Sequence, residues 1–185
     1  GGNIGAGKDN DGSKAKRPER TERMLTGMVA SDPHHDPPPI RSLSWTTHDI
    51  LPPSDERFDE AAIMKQISDR SQRVVSRNRP SYTVAWLRRA AKKVPITLSS
   101  LHVNDTSMLH LPSESFVEYQ LRAQAAASKR FVACAAYGDG GPWYIPTAEA
   151  YPQGGYAVGV AWCAPDIDQI LTNGIESMLS TVSTG

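Results

Sequence analysis

Residues 94–124, VPITLSSLHVNDTSMLHLPSESFVEYQLRAQ, decide the fold class. Two runs of alternating apolar and polar residues, 94–103 and 107–112, flank the turn pair Asn104-Asp105 and read as two strands. Pro112 closes the second, and a helix is predicted from near Ser113 through the alanines to about Ser128. The next run, RFVACAAY (130–137), is nearly continuously apolar, as expected of a strand buried on both faces. Strand, helix and buried strand in succession indicate an α/β architecture, a mixed β-sheet flanked by helices.

The flanking sequence extends this pattern. A helix with the apolar stripe Met24, Leu25, Met28 and Val29 is predicted over 17–30. SDPHHDPPP (31–39) is a proline-rich connector that no helix or central strand tolerates. A strand follows over 40–53, then a helix capped by Ser54 or Asp55 and running to about Ser76. Pro80 opens a helix with Val84, Leu87 and Ala91 on one side. GYAVGVAWC (155–163) reads as a weaker strand, and Pro165 starts a last helix with Ile167, Ile170, Leu171, Ile175 and Leu179 at helical spacing.

The bulk numbers narrow the function classes. The 185 residues suit one domain, and the whole chain reads as a single, partial one. Lys+Arg and Asp+Glu number 20 each, so no net field selects nucleic acid or an acidic membrane. No apolar run approaches the roughly 20 residues of a membrane-spanning helix. The opening Gly1-Gly2-Asn3 reads as the middle of a longer protein, with any export signal lying upstream. Cys134 and Cys163 could bridge, although their apolar settings suit buried free thiols better.

Two stretches carry chemistry. GNIGAGKD (2–9) fits the start of a phosphate-binding loop, but Asp9 stands where the hydroxyl for magnesium belongs and loop residues continue where a helix should open. Nucleotide binding at 2–8 is therefore a remote alternative. The second stretch runs from 111 to 156. In LPSESFVEYQ (111–120) a strand end meets a helix start, where α/β proteins bind ligands. Glu114 would lie in the first helical turn, Ser115 and Glu118 would form a capping box, and Glu118 would pair with Arg122. YGDGGPWYIPTAEAYPQGGY (137–156) is too long for a plain connection and too aromatic for disorder.

LHLPSESFVEYQLRAQ (109–124) together with FVACAAYGDGGPWYIPTAEAYPQGGY (131–156) resembles the neutral/alkaline non-lysosomal ceramidase family, especially its divergent bacterial branch. The family's Pro-Gly-Glu appears as Pro112-Ser113-Glu114. Its Tyr-Ile-x-Thr-x-Glu-x-Tyr loop appears as Tyr144 to Tyr151, with Tyr156 five residues on. The resemblance implies the C-terminal part of a zinc-dependent catalytic domain that hydrolyses the amide of an N-acyl, sphingolipid-like substrate, in an exported or periplasmic protein. It places Glu114 and Tyr144 on the metal, with two histidine ligands upstream of this chain. It assigns Asn3, Gly5, Tyr137, Asp139 and Thr147 to the substrate pocket. None of His34, His35, His48, His102 and His110 matches a family ligand, and Gly5 stands at the family's catalytic serine. That substitution keeps a non-catalytic relative, binding an amphipathic ligand, as the alternative.

Overall fold

Asn104 adopts a left-handed φ of 52° and turns the chain between β2 (Ile96–Val103) and β3 (Thr106–Pro112). Its side-chain oxygen accepts hydrogen bonds from the backbone N–H groups of Arg41 and Ser42, at 2.8 and 3.2 Å. One turn residue thereby also fixes the entry to β1 (Leu43–Ile50), which pairs antiparallel with β2 from Leu43↔Val103 to Ile50↔Ile96. The computed structural model describes residues 17–30, 38–138 and 141–180.

The described residues fall into two compact units. One carries α1 (Arg17–Ala30), the helix expected over 17–30. The other begins at Arg41 and holds a four-stranded sheet in the order β1-β2-β3-β5, where β5 (Phe131–Gly138) lies parallel to β3. The fold is thus mixed α/β, as the sequence indicates. Of the connector over 31–39, residues 31–37 lie outside the described residues.

Alternation along the strands sends Ile50, Ile96, Leu98, Leu109, Leu111 and Val132 to one face of the sheet. There they meet α5 (Val117–Ala126) and α7 (Ile167–Ser180), through Tyr119, Ala123, Ile167, Leu171, Ile175 and Met178. Each such aliphatic side chain, fully withdrawn from water, contributes about 1.5–3 kcal/mol. The contact is close: a Cβ on Gly174 would stand 2.7 Å from Leu98 Cδ1, so α7 rests on β1 and β2 only because that position is bare. Trp86 of α4 (Pro80–Ala91) joins the same core.

Several expectations are corrected. The helix predicted from residue 54 to 76 is two pieces, α2 (Glu60–Ser68) and α3 (Val74–Asn78). Asp59 supplies the N-cap, accepting from Ala62 N at 2.6 Å, whereas Asp55 is occupied by Arg57. Asp69, bonded to Ser71 and Gln72, makes the break between the pieces. The helix predicted from Ser113 starts at Val117, because Ser113 has a positive φ of 55° and Glu114–Ser115 form a short strand, β4. Phe116 is the N-cap residue, so the Ser115–Glu118 capping box does not form. Arg122 turns from Glu118 to Asp168 and Glu149. β5 lies at the edge of the four strands and is mostly half-buried, not buried on both faces. The strand expected over 155–163 is a short helix, α6 (Tyr156–Val160), which starts after Gly154 and Gly155 turn the chain at φ 70° and 93°. Cys134 and Cys163 are free thiols.

Candidate functional site

The strand-to-helix junction and the long loop meet at one end of the sheet. Within the loop, Tyr144–Ile145 form β6, which pairs parallel with β4 in the register Glu114↔Tyr144 and Ser115↔Ile145. Bonds from Glu114 N to Trp143 O (3.0 Å) and from Phe116 N to Ile145 O (3.1 Å) close this ladder. Tyr137 N donates to Ser113 O at 2.8 Å, bringing the end of β5 alongside. Three separate segments therefore deliver Glu114, Tyr137 and Tyr144 to one place.

A concavity of about 440 Å³ opens there, lined by Ser113, Glu114, Tyr137, Trp143, Tyr144 and Tyr156 together with Gly138 and Gly141. The Glu114 carboxylate pushes the Tyr144 phenol up to about 12, through its hydrogen-bonding influence first, with burial and the carboxylate's charge adding to it. Partial burial first, then the charge and hydrogen-bonding influence of the Glu114 carboxylate, raise the Tyr137 phenol above the ordinary range. Tyr156 meets Tyr144 edge-on with ring centroids 5.8 Å apart. One carboxylate thus shares the concavity with two phenols, and a third stands at the rim.

Backbone strain gathers at the same spot. Ser113, Tyr137 and Trp143 all have positive φ, at 55°, 62° and 71°, and all line the cavity. Non-glycine residues rarely tolerate that region, and such strain concentrates at functional sites. The Ser113 hydroxyl is buried and finds no hydrogen-bond partner among the described residues. A buried hydroxyl without a partner costs about 1–3 kcal/mol.

The other side of the loop is tied down. Tyr119 OH donates to Pro146 O (2.9 Å), and Asp168 accepts from Ala148 N (2.9 Å) while pairing with Arg122. Arg122 also reaches Thr172 Oγ1 at 3.1 Å and Glu149 at 3.6 Å. Tyr151 donates to Cys163 O at 2.7 Å; burial first, and nearby Cys163 and Asp55, hold its phenol well above the ordinary range. Arg57, paired with Asp55, donates to Val158 O and Ala161 O and fixes α6.

A second concavity, about 530 Å³, adjoins the first through the shared residues Trp143 and Tyr156. Phe58, Ile63, Val160 and Trp162 make it largely apolar. Trp143 packs at a tilt between Tyr82 and Trp162 at centroid distances of 6.4 and 5.4 Å, with the Arg79 guanidinium 5.4 Å from its ring centroid. The two hollows together offer a polar end and an apolar channel.

Of the site residues expected from sequence, Glu114, Tyr137 and Tyr144 come together. Thr147 is buried before a 3₁₀ helix (Ala148–Gln153) and does not line the cavity. Asn3, Gly5, Asp139 and the 2–8 glycine loop lie outside the described residues, as do His34 and His35. His102 and His110 are committed elsewhere in the sheet. His102 bonds Thr46 and Ser107, and burial, with Arg130 adding to it, keeps its imidazole below the ordinary range. His110 bonds Ser99. Tyr156, named in the sequence only as part of the loop motif, is a wall of both hollows. Its place in the motif, next to two glycines that turn the chain, was the available signal.

Glu114 offers a carboxylate oxygen, a common zinc ligand, and the Tyr144 phenol stands at the same register position, where a bound cation would favour its ionised form. Among the described residues no three His, Cys, Asp or Glu side chains converge to complete a zinc shell.

The fold has a counterpart of known structure. The fold is similar to neutral ceramidase. In the crystal structure of neutral ceramidase from Pseudomonas aeruginosa, the likeness covers 99% of this chain and 36% of that one, with 14% identity and a TM-score of 0.52. A structure described as ceramidase complexed with C2 matches 49% of this chain and 16% of that one, at 18% identity and a TM-score of 0.40, too loose to support any argument. This chain therefore spans about a third of the length of the neutral ceramidase it follows throughout. No family model and no curated protein matches the sequence. Among the described residues no helix is long and apolar enough to cross a membrane.

Proposed function

We propose that this chain forms the carboxylate–phenol half of a zinc-dependent amide hydrolase that cleaves N-acyl bonds of amphipathic, sphingolipid-like molecules. The observation that carries the reading is the convergence of Glu114, Tyr144 and Tyr137 on one strained cavity, in a fold similar to part of neutral ceramidase. Glu114 and Tyr144 would hold the metal, with further ligands from outside these residues. When bound, zinc would polarise the amide carbonyl and acidify a water.

The chain's own residues have distinct tasks. Glu114 orients both phenols and supplies the negative charge that a cation requires. Tyr137 holds Glu114 from the β5 side, and Tyr156 stands where it can donate a hydrogen bond to an acyl oxygen. The hollow past Trp143 would take the apolar chain of the ligand. The loop's anchors to α5 and α7 hold Tyr144 in place, so little reorganisation is needed on binding.

The test uses the complete protein. Tyrosinate absorbance should show one phenol ionising at a lower pH when zinc is added, as a nearby cation replaces the Glu114 hydrogen bond with an attraction for the anion. Tyr144→Phe should abolish that shift, and Glu114→Gln should weaken zinc binding at least tenfold. Tight stoichiometric zinc indifferent to both changes would refute the assignment. A second reading, a non-catalytic binder of amphipathic ligands, is favoured by Gly5 at the family's serine position. Zinc binding without turnover of any acyl-amide in a broad panel would select it.

A further inference from the structure

The two hollows share a wall but carry opposite charge. Among the described residues, the first has one charged wall residue, Glu114, and the second has one, Arg79. Arg79 sits where α3 gives way to α4, and its side chain caps neither helix. Its backbone N–H closes α3 on Val75 O, while its guanidinium stands 5.4 Å from the Trp143 ring centroid, on the wall of the second hollow. Arg57 is neutralised by Asp55 and Arg88 by Glu60, whereas Arg79 meets no carboxylate among the described residues. Pro80 and Thr83, from the start of α4, line the same hollow, so the positive end of that helix adds to the field.

A hollow of about 530 Å³ with apolar walls and a single cation suits an apolar chain that ends in one negative charge. The guanidinium is planar and forked, a shape that matches a carboxylate. We infer that the second hollow is a binding site for a free aliphatic carboxylate, with its head on Arg79 and its chain along Phe58, Ile63, Val160 and Trp162. Cleaving an N-acyl bond with water leaves the acyl chain as such a carboxylate and frees the amine. The second hollow would thus hold the acid that forms in the first. The inference rests on the proposed function only for the acyl chain's place in this hollow; it needs neither zinc nor turnover.

Calorimetry on the complete protein, stripped of metal by a chelator, tests this with probes of equal chain length: decanoate, decanamide and decyltrimethylammonium. Decanoate should bind about tenfold more tightly than decanamide, as one charge-assisted pair allows, and the cation should bind most weakly. Arg79→Gln should bring decanoate down to the affinity of decanamide. Decanamide itself should bind that variant as before, which also shows that the variant is folded. Arg70→Gln, at an exposed position off the hollow's wall, should change neither affinity. Equal affinity of the unaltered protein for decanoate and decanamide would overturn the inference, as would decanoate binding that survives Arg79→Gln. Equal losses from the two arginine variants would mean a diffuse positive field and overturn it too. So would decanoate that binds only after zinc is restored, with its carboxylate on the metal, or that does not bind at all. The zinc-induced shift of the Tyr144 phenol is read separately, so failure here leaves that assignment standing.

Discussion

The two sides of the 141–156 segment are built on opposite principles. On the side facing α5 and α7, polar groups are buried and paired: Asp168 accepts from Arg122 and from Ala148 N, and Tyr119 reaches Pro146 O. On the cavity side, Ser113, Tyr137 and Trp143 hold strained φ values, and the Ser113 hydroxyl is buried without a partner. The first side stores stability and the second spends it. Protein sites commonly divide this way, since a rigid frame must over-determine the strained groups it presents.

The sharpest attempt to break this contrast is Asp168→Ala. It strands Ala148 N–H and leaves Arg122 with the exposed Glu149 as its remaining anion. Removing one partner of a largely buried ion pair that also caps backbone should cost about 2–4 kcal/mol, discounted here for the partial exposure of Arg122. Urea denaturation followed by far-UV circular dichroism measures it. A loss below 0.5 kcal/mol would show that the frame is not a frame.

How much of this contrast could be read from sequence depends on the type of signal. The turn at Asn104-Asp105 and the helices opened by Pro80 and after Pro165 were legible, because turn chemistry and apolar spacing act locally. The meeting of Glu114 with Tyr144 came only through motif resemblance, since a two-residue parallel ladder between distant segments leaves no periodicity. The start of α5 was misjudged for a related reason. Ser115 and Glu118 satisfy the capping pattern, yet pairing with Ile145 and the positive φ of Ser113 hold the chain extended until Phe116. Tertiary pairing there overrides local capping preference. The frame side was invisible: nothing near Arg122 in sequence marks Asp168, 46 residues away, as its partner.

A smaller effect tests whether cavity-side strain is localised. A Cβ at Gly141 would fall 2.2 Å from Ser113 Oγ and 3.3 Å from Pro112 Cβ. Gly141→Ala should therefore destabilise by about 1–3 kcal/mol through overpacking. Most of that loss should disappear in a Ser113→Gly background, where the clashing hydroxyl is gone. Additive costs in the double mutant would place the strain elsewhere.

Ser113→Gly alone is the finest probe, because it sets relief of strain in the folded state against entropy gained by the unfolded chain. Glycine relieves the left-handed penalty of about 1–2 kcal/mol and removes a buried hydroxyl without a partner. Against this, it raises the entropy of the unfolded chain by about 0.5–1 kcal/mol. The balance predicts a gain of at least about 1 kcal/mol in thermal or urea unfolding. If the hydroxyl exists to meet a ligand, the same change should weaken zinc or acyl-amide binding by the complete protein while stabilising the fold. Stability and binding moving in opposite directions would identify Ser113 as a group held strained for use. A gain in stability with binding unchanged would reduce it to a tolerated departure at a position where glycine fits better.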